Sequence, residues 1–335
     1  MTDDVLGREC RGTIAFRARP IKFVICNQSS VIRISPMLLL IRPAAFALNA
    51  QTAVNNYFQP QSMSDDAGAI HAAALREFDA MVQQLNEADI DALVVQDTAE
   101  PHTPDSIFPN NWVSFHEAGH VLYPMYAPNR RLERELDIWS LLQPSKLKLD
   151  LTEEENNARF LEGTGSLVLD RPNRIAYAAL SERTHKDLVH RWCEAMNYKP
   201  VTFSAMQTVG NERRPIYHTN VMMSVGKGFA LWCPQCIDDE RERSTLETSL
   251  RAANKELIAI SETQMHSFAG NILQVFNRKY EPFILLSTAA EEALQGPALQ
   301  ALKRHGSILS CPIPTIEKYG GGSARCMVAE VIGDR

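Results

Sequence analysis

The sequence predicts an α/β chain folded as a closed ring of five ββαβ units, on three observations. One local pattern recurs five times: a glycine or turn residue, an Asn or Ser, then an apolar strand, a turn and a second strand. The Asn/Ser positions 111, 166, 220, 271 and 323 step by 55, 54, 51 and 52 residues, and a fixed period of roughly 50 residues marks a propeller or array. Helical stretches lie between the copies, which an all-β blade of similar period would lack.

The elements follow in chain order. Residues 1–36 mix Arg8, Arg11, Arg17, Arg19 and Lys22 with Asp3, Asp4 and Glu9 and hold no continuous apolar stretch, which argues against a signal or transit peptide. They read as a poorly ordered extension, or as residues upstream of the true start, and residues 37–335 as one domain. Leu38-Leu39-Leu40-Ile41 is a strand expected to complete the final unit and close the ring. Apolar residues at helical spacing predict helices over 70–86, 132–142, 186–196, 244–258 and 289–302, placed outside the ring. The five strand-opening turns are Pro109-Asn110-Asn111, Gly163-Thr164-Gly165-Ser166, His218-Thr219-Asn220, Ala269-Gly270-Asn271 and Gly320-Gly321-Gly322-Ser323. A doubly wound sheet also alternates strands and helices. Here the glycine-rich turns enter strands, and no G-x-G-x-x-G opens a helix.

Composition excludes several classes. The 335 residues are 45% hydrophobic, enough for a large core, and carry a net charge of -6. That balance argues against a nucleic-acid partner, and no apolar run approaches the roughly 18 residues a membrane span needs. Seven cysteines, an odd number without a disulfide spacing, point to the cytoplasm. Cys233-Pro234-Gln235-Cys236 matches a redox C-x-x-C, but no second pair completes a zinc site, and a strand-end turn explains it.

The segment Gly320-Gly321-Gly322-Ser323-Ala324-Arg325-Cys326 has two readings. Consecutive glycines let backbone approach a ligand, and a cation beside a cysteine favours the nucleophilic thiolate. Equally, a glycine turn can enter a buried strand with Cys326 as a small apolar residue. The repeat weighs between them. A ring gathers its strand starts around one axis, so Asp105, Glu162, His218 and Cys326, which stand beside the turns of four repeats, would converge. The chemistry then assigns Cys326 as nucleophile and His218 as general acid and base. Asp105 would accept from a planar nitrogen-rich substrate head, and Glu162 from the same head or from His218.

The segments Thr103-Pro104-Asp105, Phe108-Pro109-Asn110-Asn111-Trp112, Leu161-Glu162-Gly163-Thr164-Gly165-Ser166, His218-Thr219-Asn220 and Gly320 to Met327 resemble the guanidine-modifying superfamily of amidinotransferases, arginine deiminases and dimethylargininases. The likeness covers residues 37–335 and leans to the citrulline-utilisation hydrolase branch. It implies a five-bladed α/β propeller (pentein) of ββαβ units around a central active site, no metal or cofactor, and a covalent cysteine adduct. Carried over by motif, Cys326 is the nucleophile, His218 and Glu162 are its partners, and Asp105 is the carboxylate on the substrate head.

Arginine deiminases carry His-x-Asp where this chain has His218-Thr219-Asn220. An amide in place of the carboxylate removes a negative charge and adds a donor, which favours a neutral ureido group over a guanidinium. The segment 126–134 resembles the arginine-bearing stretch that receives the substrate's α-carboxylate. Among Arg130, Arg131 and Arg134, Arg131 is the choice; the alternative is a charged helix start.

The function expected is hydrolysis of a C–N bond of a ureido or guanidino amino acid, citrulline first, giving ornithine, carbon dioxide and ammonia. The partner is a small amino-acid substrate, with neither nucleic acid nor membrane, and a homodimer is left open. Rivals are an arginine deiminase, a dimethylargininase, an amidinotransferase that needs an acceptor amine, and a non-catalytic propeller binding protein, since fold does not fix function. A papain-like order would put the cysteine near the mature N-terminus, and here it is reversed.

Overall fold

Seventeen strands are described over residues 37–60, 65–142 and 146–332 of the computed structural model; the expected N-terminal extension, residues 1–36, lies outside the described residues. Fifteen of the strands form five three-stranded sheets of one design, in which the middle strand pairs antiparallel on one side and parallel on the other. The middle strand of the first sheet is β1 (Met37–Arg42), flanked on its parallel side by β2 (Ala92–Gln96). The second sheet is β3 (Val113–His116), β4 (Gly119–Leu122) and β5 (Leu147–Asp150). The third is β6 (Val168–Asp170), β7 (Ile175–Leu180) and β8 (Lys199–Ser204). A hairpin of β9 (Met206–Val209) and β10 (Glu212–Pro215) intervenes. The fourth sheet is β11 (Met223–Val225), β12 (Phe229–Trp232) and β13 (Glu256–Ala259), and the fifth β14 (Leu273–Phe276), β15 (Pro282–Ser287) and β16 (Ser307–Cys311). The last strand, β17 (Ala329–Val331), returns to pair antiparallel with β1, Leu39 opposite Ala329. The two ends of the described chain therefore share one sheet, and β1 joins β17 to β2 as the apolar run at 38–41 foretells. No sheet closes on itself; the five remain separate.

Neighbouring repeats are stitched at their turns. Thr164 Oγ1 donates to Asn110 O at 3.3 Å, Thr219 Oγ1 to Ser166 O, and Asn271 Nδ2 to Asn220 O at 3.1 Å. Each hydroxyl or amide satisfies a buried carbonyl that no strand ladder reaches. Glycines permit the approach: a Cβ on Gly163 would lie 2.2 Å from Asn110 O, and one on Gly270 2.2 Å from Val221 O. At the far end of the series β17 lies against β3.

The helices cover the sheets. The helix Ala67–Glu87 is capped by Asp66, whose carboxylate accepts from Ala69 N, and buries Ile70, Ala74, Phe78, Met81 and Leu85 at intervals of three and four residues. Lys186–Met196 is helical as predicted. The other three expectations shift for local reasons. Over 132–142 there is no long helix: a four-residue helix, Pro128–Arg131, gives way to a tight turn, Leu132–Glu135, and the Asp137 carboxylate then accepts from the amides of Trp139 and Ser140 to hold a bend. The stretch 244–258 is the helix Glu240–Ala252, begun by the Asp239 cap and ended before Asn254, whose φ is 56°, with β13 after it. The stretch 289–302 is two helices, Thr288–Ala293 and Pro297–Lys303, parted by Gly296 at φ 74° and by Pro297, which cannot continue a helix.

Candidate active site

The turns before β3 and β11, the glycine segment before β17 and Arg183 after β7 come together at one small cavity. Its lining includes Asp105, Asn111, Arg130, Arg183, His218 and Cys326, with the backbone of Gly320, Gly321 and Gly322. Glu162 and Asn220 stand directly behind, one bonded to His218 and the other to the Cys326 sulfur. Among the residues expected to form a site, the structure thus gathers Asp105, Glu162, His218, Asn220 and Cys326. All five are buried.

His218 Nε2 lies 2.7 Å from Glu162 Oε2. Burial pushes the imidazole's pKa down to about 4, against the opposing pull of Glu162. Burial pushes Glu162 up, but Arg183, His218 and Arg130 outweigh it and hold the carboxyl at about 2. At neutral pH the pair is therefore a neutral imidazole donating Nε2–H to a carboxylate, which leaves Nδ1 as the proton acceptor. Glu162 is itself fixed: Oε1 accepts from Tyr126 N at 2.9 Å, and Arg183 Nη1 is 3.5 Å from Oε2. The Arg183 guanidinium is stacked over the Tyr217 ring at 5.0 Å.

Asp105 projects from the turn before Phe108. Its Oδ2 accepts from Asn49 Nδ2 at 2.8 Å and Thr52 Oγ1 at 3.1 Å, while Oδ1 has no partner among the described residues. Burial raises its pKa, opposed by Arg130, Asn49 and Thr52. A buried carboxylate oxygen left unbonded is costly unless something fills the place, and a substrate N–H would fill it.

Arg131 is not brought to the cavity. It is part-exposed, with Nε donating to Met125 O and lying 3.5 Å from Glu155. Its neighbour Arg130 lines the cavity instead, bonded twice to Glu133 at 2.7 and 3.0 Å, to Asn111 Oδ1 at 2.7 Å and to Phe108 O at 3.1 Å. Consecutive residues of a helical turn point about 100° apart, and here the inward direction falls on Arg130. Arg134 goes to Glu155.

Three further features were not read from the sequence. Asn271 touches the Cys326 sulfur, with Nδ2 at 3.2 Å; its only signal was its place in the repeat. Residues 49–59 cover the cavity: beside the bonds to Asp105, Asn56 Nδ2 donates to Gly321 O and Gln59 Nε2 to Tyr319 O. Finally, Tyr217 OH donates to Gly321 O at 2.7 Å, tying the residue before His218 to the glycine loop.

The Cys233-x-x-Cys236 pair lies elsewhere, in the tight turn Pro234–Cys236 that ends β12, its thiols free and buried. Among the described residues no group of His, Cys, Asp and Glu could hold a metal, and no helix is long and apolar enough to cross a membrane.

Solved structures share the fold at low identity. The N-terminal domain of ArgZ, an arginine dihydrolase from the ornithine-ammonia cycle in cyanobacteria, caught bound to substrate, matches at TM-score 0.67 and 15% identity, over 89% of this chain and 98% of that one. Unliganded AgrE matches at TM-score 0.69 and 19% identity over 89% of this chain, which spans only 39% of that chain. A dimethylarginine dimethylhydrolase (DDAH) from Pseudomonas aeruginosa, complexed with citrulline, matches at TM-score 0.61 and 13% identity over 89% of this chain and all of that one. Among curated proteins none matches. The family of eukaryotic N,N dimethylarginine dimethylhydrolases matches residues 42–333. With that match running from the end of β1 past β17, through every turn that lines the cavity, the chain belongs to the N,N dimethylarginine dimethylhydrolase family, within the pentein superfamily of amidinotransferases and C–N hydrolases.

Proposed function

We propose that the protein hydrolyses a C–N bond of a ureido or guanidino amino acid through a covalent adduct on Cys326, and that citrulline is its substrate. On this reading residues 37–335 are one catalytic domain, the five sheets are the blades of a ring, and the cavity lies on its axis.

The charge balance of the cavity supports the choice of citrulline. Arg130 and Arg183 line it, both buried, and their carboxylate neighbours are Glu133, Glu162 and Asp105. Glu133 is pushed up to about 7 by burial, with Arg130 opposing, and Asp105 is raised as well. A guanidinium needs surplus negative charge around it. This cavity holds two guanidinium groups of its own, and burial raises two of the three carboxyl groups beside them, which suits a neutral ureido head. Asn220 does not carry the inference, because its Nδ2 is turned to the Cys326 sulfur and not to the place of the substrate head.

The Cys326 thiolate attacks the ureido carbon. The tetrahedral adduct expels the ornithine amine, which takes a proton drawn from solvent and passed on by His218, and an S-carbamoyl cysteine remains; the proton that His218 later takes from water returns to solvent. Water, losing its proton to neutral His218, then cleaves the C–S bond. The carbamic acid released breaks down to carbon dioxide and ammonia, so citrulline and one water give ornithine, carbon dioxide and ammonia. Glu162 stabilises each imidazolium as it forms.

A second reading, hydrolysis of arginine or its N-methylated forms, is favoured by family membership and by the arginine dihydrolase among the similar structures. The test is ornithine, citrulline, ammonia and dimethylamine release from citrulline, arginine and N,N-dimethylarginine, with Cys326→Ala as control. A kcat/KM for citrulline above the others supports the proposal. A higher value for arginine or dimethylarginine overturns the choice of citrulline, and turnover by Cys326→Ala overturns the mechanism.

A further inference from the structure

The Cys326 sulfur is met by two side-chain amides. Asn271 Nδ2 is 3.2 Å from Sγ and Asn220 Nδ2 3.4 Å, one from each of two successive repeats, and all three side chains are buried. The Asn271 amide has only one orientation available. Its Nδ2 also donates to Asn220 O at 3.1 Å, so turning the group over would set its Oδ1 against a carbonyl oxygen. In the observed orientation Oδ1 lies farther from the sulfur, at 3.6 Å, where it accepts from Sγ when the thiol is protonated. Asn220 Nδ2 has no other partner among the described residues.

N–H donors bind an anion more strongly than its neutral conjugate acid, and so favour the ionised form. A cysteine nucleophile is commonly held ionised by an adjacent imidazolium. That arrangement is absent here. The His218 ring is committed to Glu162, makes no hydrogen bond to Sγ among the described residues, and is neutral at pH 7. The other charged and titratable groups around the sulfur are Arg325 beside it in the chain and Asp105, Arg130, Arg183 and Tyr217 across the cavity. None of them makes a hydrogen bond to it.

We propose that Asn220 and Asn271 form a neutral two-amide cradle that holds the Cys326 sulfur as a thiolate, its proton released to solvent, and that Asn271 is a catalytic residue supplied by the fourth repeat. The proposal rests on Cys326 being the nucleophile. It gives a role to the one repeat whose turn brings no acid, base or nucleophile, and it places Asn220 at the reacting atom.

The test is iodoacetamide alkylation of the full chain at pH 7 and pH 10, followed by mass spectrometry on the peptide that contains Cys326. Alkylation needs no substrate, so a wrong choice of substrate leaves the test intact; failure of the nucleophile assignment would show separately, as turnover by Cys326→Ala. Asn271→Ala and Asn220→Ala are each expected to slow alkylation at pH 7 by about ten-fold or more, with the rate recovering at pH 10 where any thiol ionises. Asn271→Asp, which sets a carboxylate against the sulfur, is expected to slow it further. Unchanged rates at pH 7 overturn the proposal, and so does equal slowing at both pH values, which would mark a change in access. Asn271→Ala also strips a donor from Asn220 O; if it does not fold, Asn220→Ala, which loses only the sulfur contact, decides the matter alone.

Discussion

Glu162 Oε2 stands 2.7 Å from His218 Nε2, and the two come from turns 56 residues apart in the chain. The carboxylate is ionised and the imidazole neutral over most of the pH range, so the active form is already present in mild acid. The base must be neutral to accept a proton, and burial sets its protonation near pH 4 and not near 6.5. The acid limb of kcat/KM is therefore expected about two units below that of an unperturbed histidine. A limb near pH 6.5 would show that His218 is not the titrating base.

Replacing Glu162 by Gln removes the group that orients the ring and stabilises its cation. We expect kcat to fall by about 10²–10⁴-fold and the acid limb to move lower, since Glu162 raises the His218 pKa. The melting temperature should fall as well, because Arg183 keeps its burial and loses a carboxylate at 3.5 Å. A variant with unchanged kcat would remove Glu162 from the mechanism.

Gly165 packs on the same ring. A Cβ there would come 2.7 Å from His218 Nδ1 and 2.5 Å from Asn111 Nδ2, closer than atoms can stand. Gly165→Ala must displace the imidazole or the amide, and a misplacement of about 1 Å can cost on the order of 10²-fold in rate. The expected result is a folded protein with kcat reduced by that order; wild-type activity would mean that the His218 position is not critical.

Much of this site could be read from the sequence, because the period near 50 residues placed Asp105, Glu162, His218 and Cys326 at matching turns, and the structure brings those turns together at one cavity. What could not be read depended on side-chain direction or on irregular backbone. Arg130 and Arg131 are adjacent cations with the same composition cue, and only the course of a four-residue helix decides which one faces in. Asn271 carries no acid or base and so drew no attention beside its neighbours, although it holds the same repeat position as Asn220. Residues 49–59 have neither helical nor strand periodicity, yet they supply the partners of Asp105. The stretch 132–142 has helical spacing, but the Arg130–Glu133 pair and the Asp137 bend prevail over that local preference.

The cover over the cavity must move. The cavity offers about 20 Å³, room for little more than one water, far less than the side chain of the amino acid proposed as substrate. Residues 49–59 are held by side-chain bonds from Asn49, Thr52, Asn56 and Gln59, with no strand ladder. Their amides should exchange with solvent faster than those of β1 in the free enzyme and slow when ornithine is bound. Equal protection of the two segments would mean that substrate enters by another route.

Outside the site, the buried pair of Lys255 Nζ and Asp170 Oδ2, 3.0 Å apart, joins the fourth repeat to the third. Lys255 lies just before β13 and also donates to the carbonyls of Gly226 and Lys227; Asp170 ends β6 and accepts from Asn173 as well. Lys255→Met leaves a carboxylate buried without its cation, a change worth about 3–5 kcal/mol. The unfolding midpoint in urea should fall accordingly with little change in kcat. Removing the stranded charge too, in Lys255→Met with Asp170→Leu, should recover a large part of the loss, because an apolar pair of similar volume carries no desolvation penalty. If the double variant is no more stable than the single one, the cost lies in the carbonyls of Gly226 and Lys227 left without a donor, and not in the unpaired carboxylate.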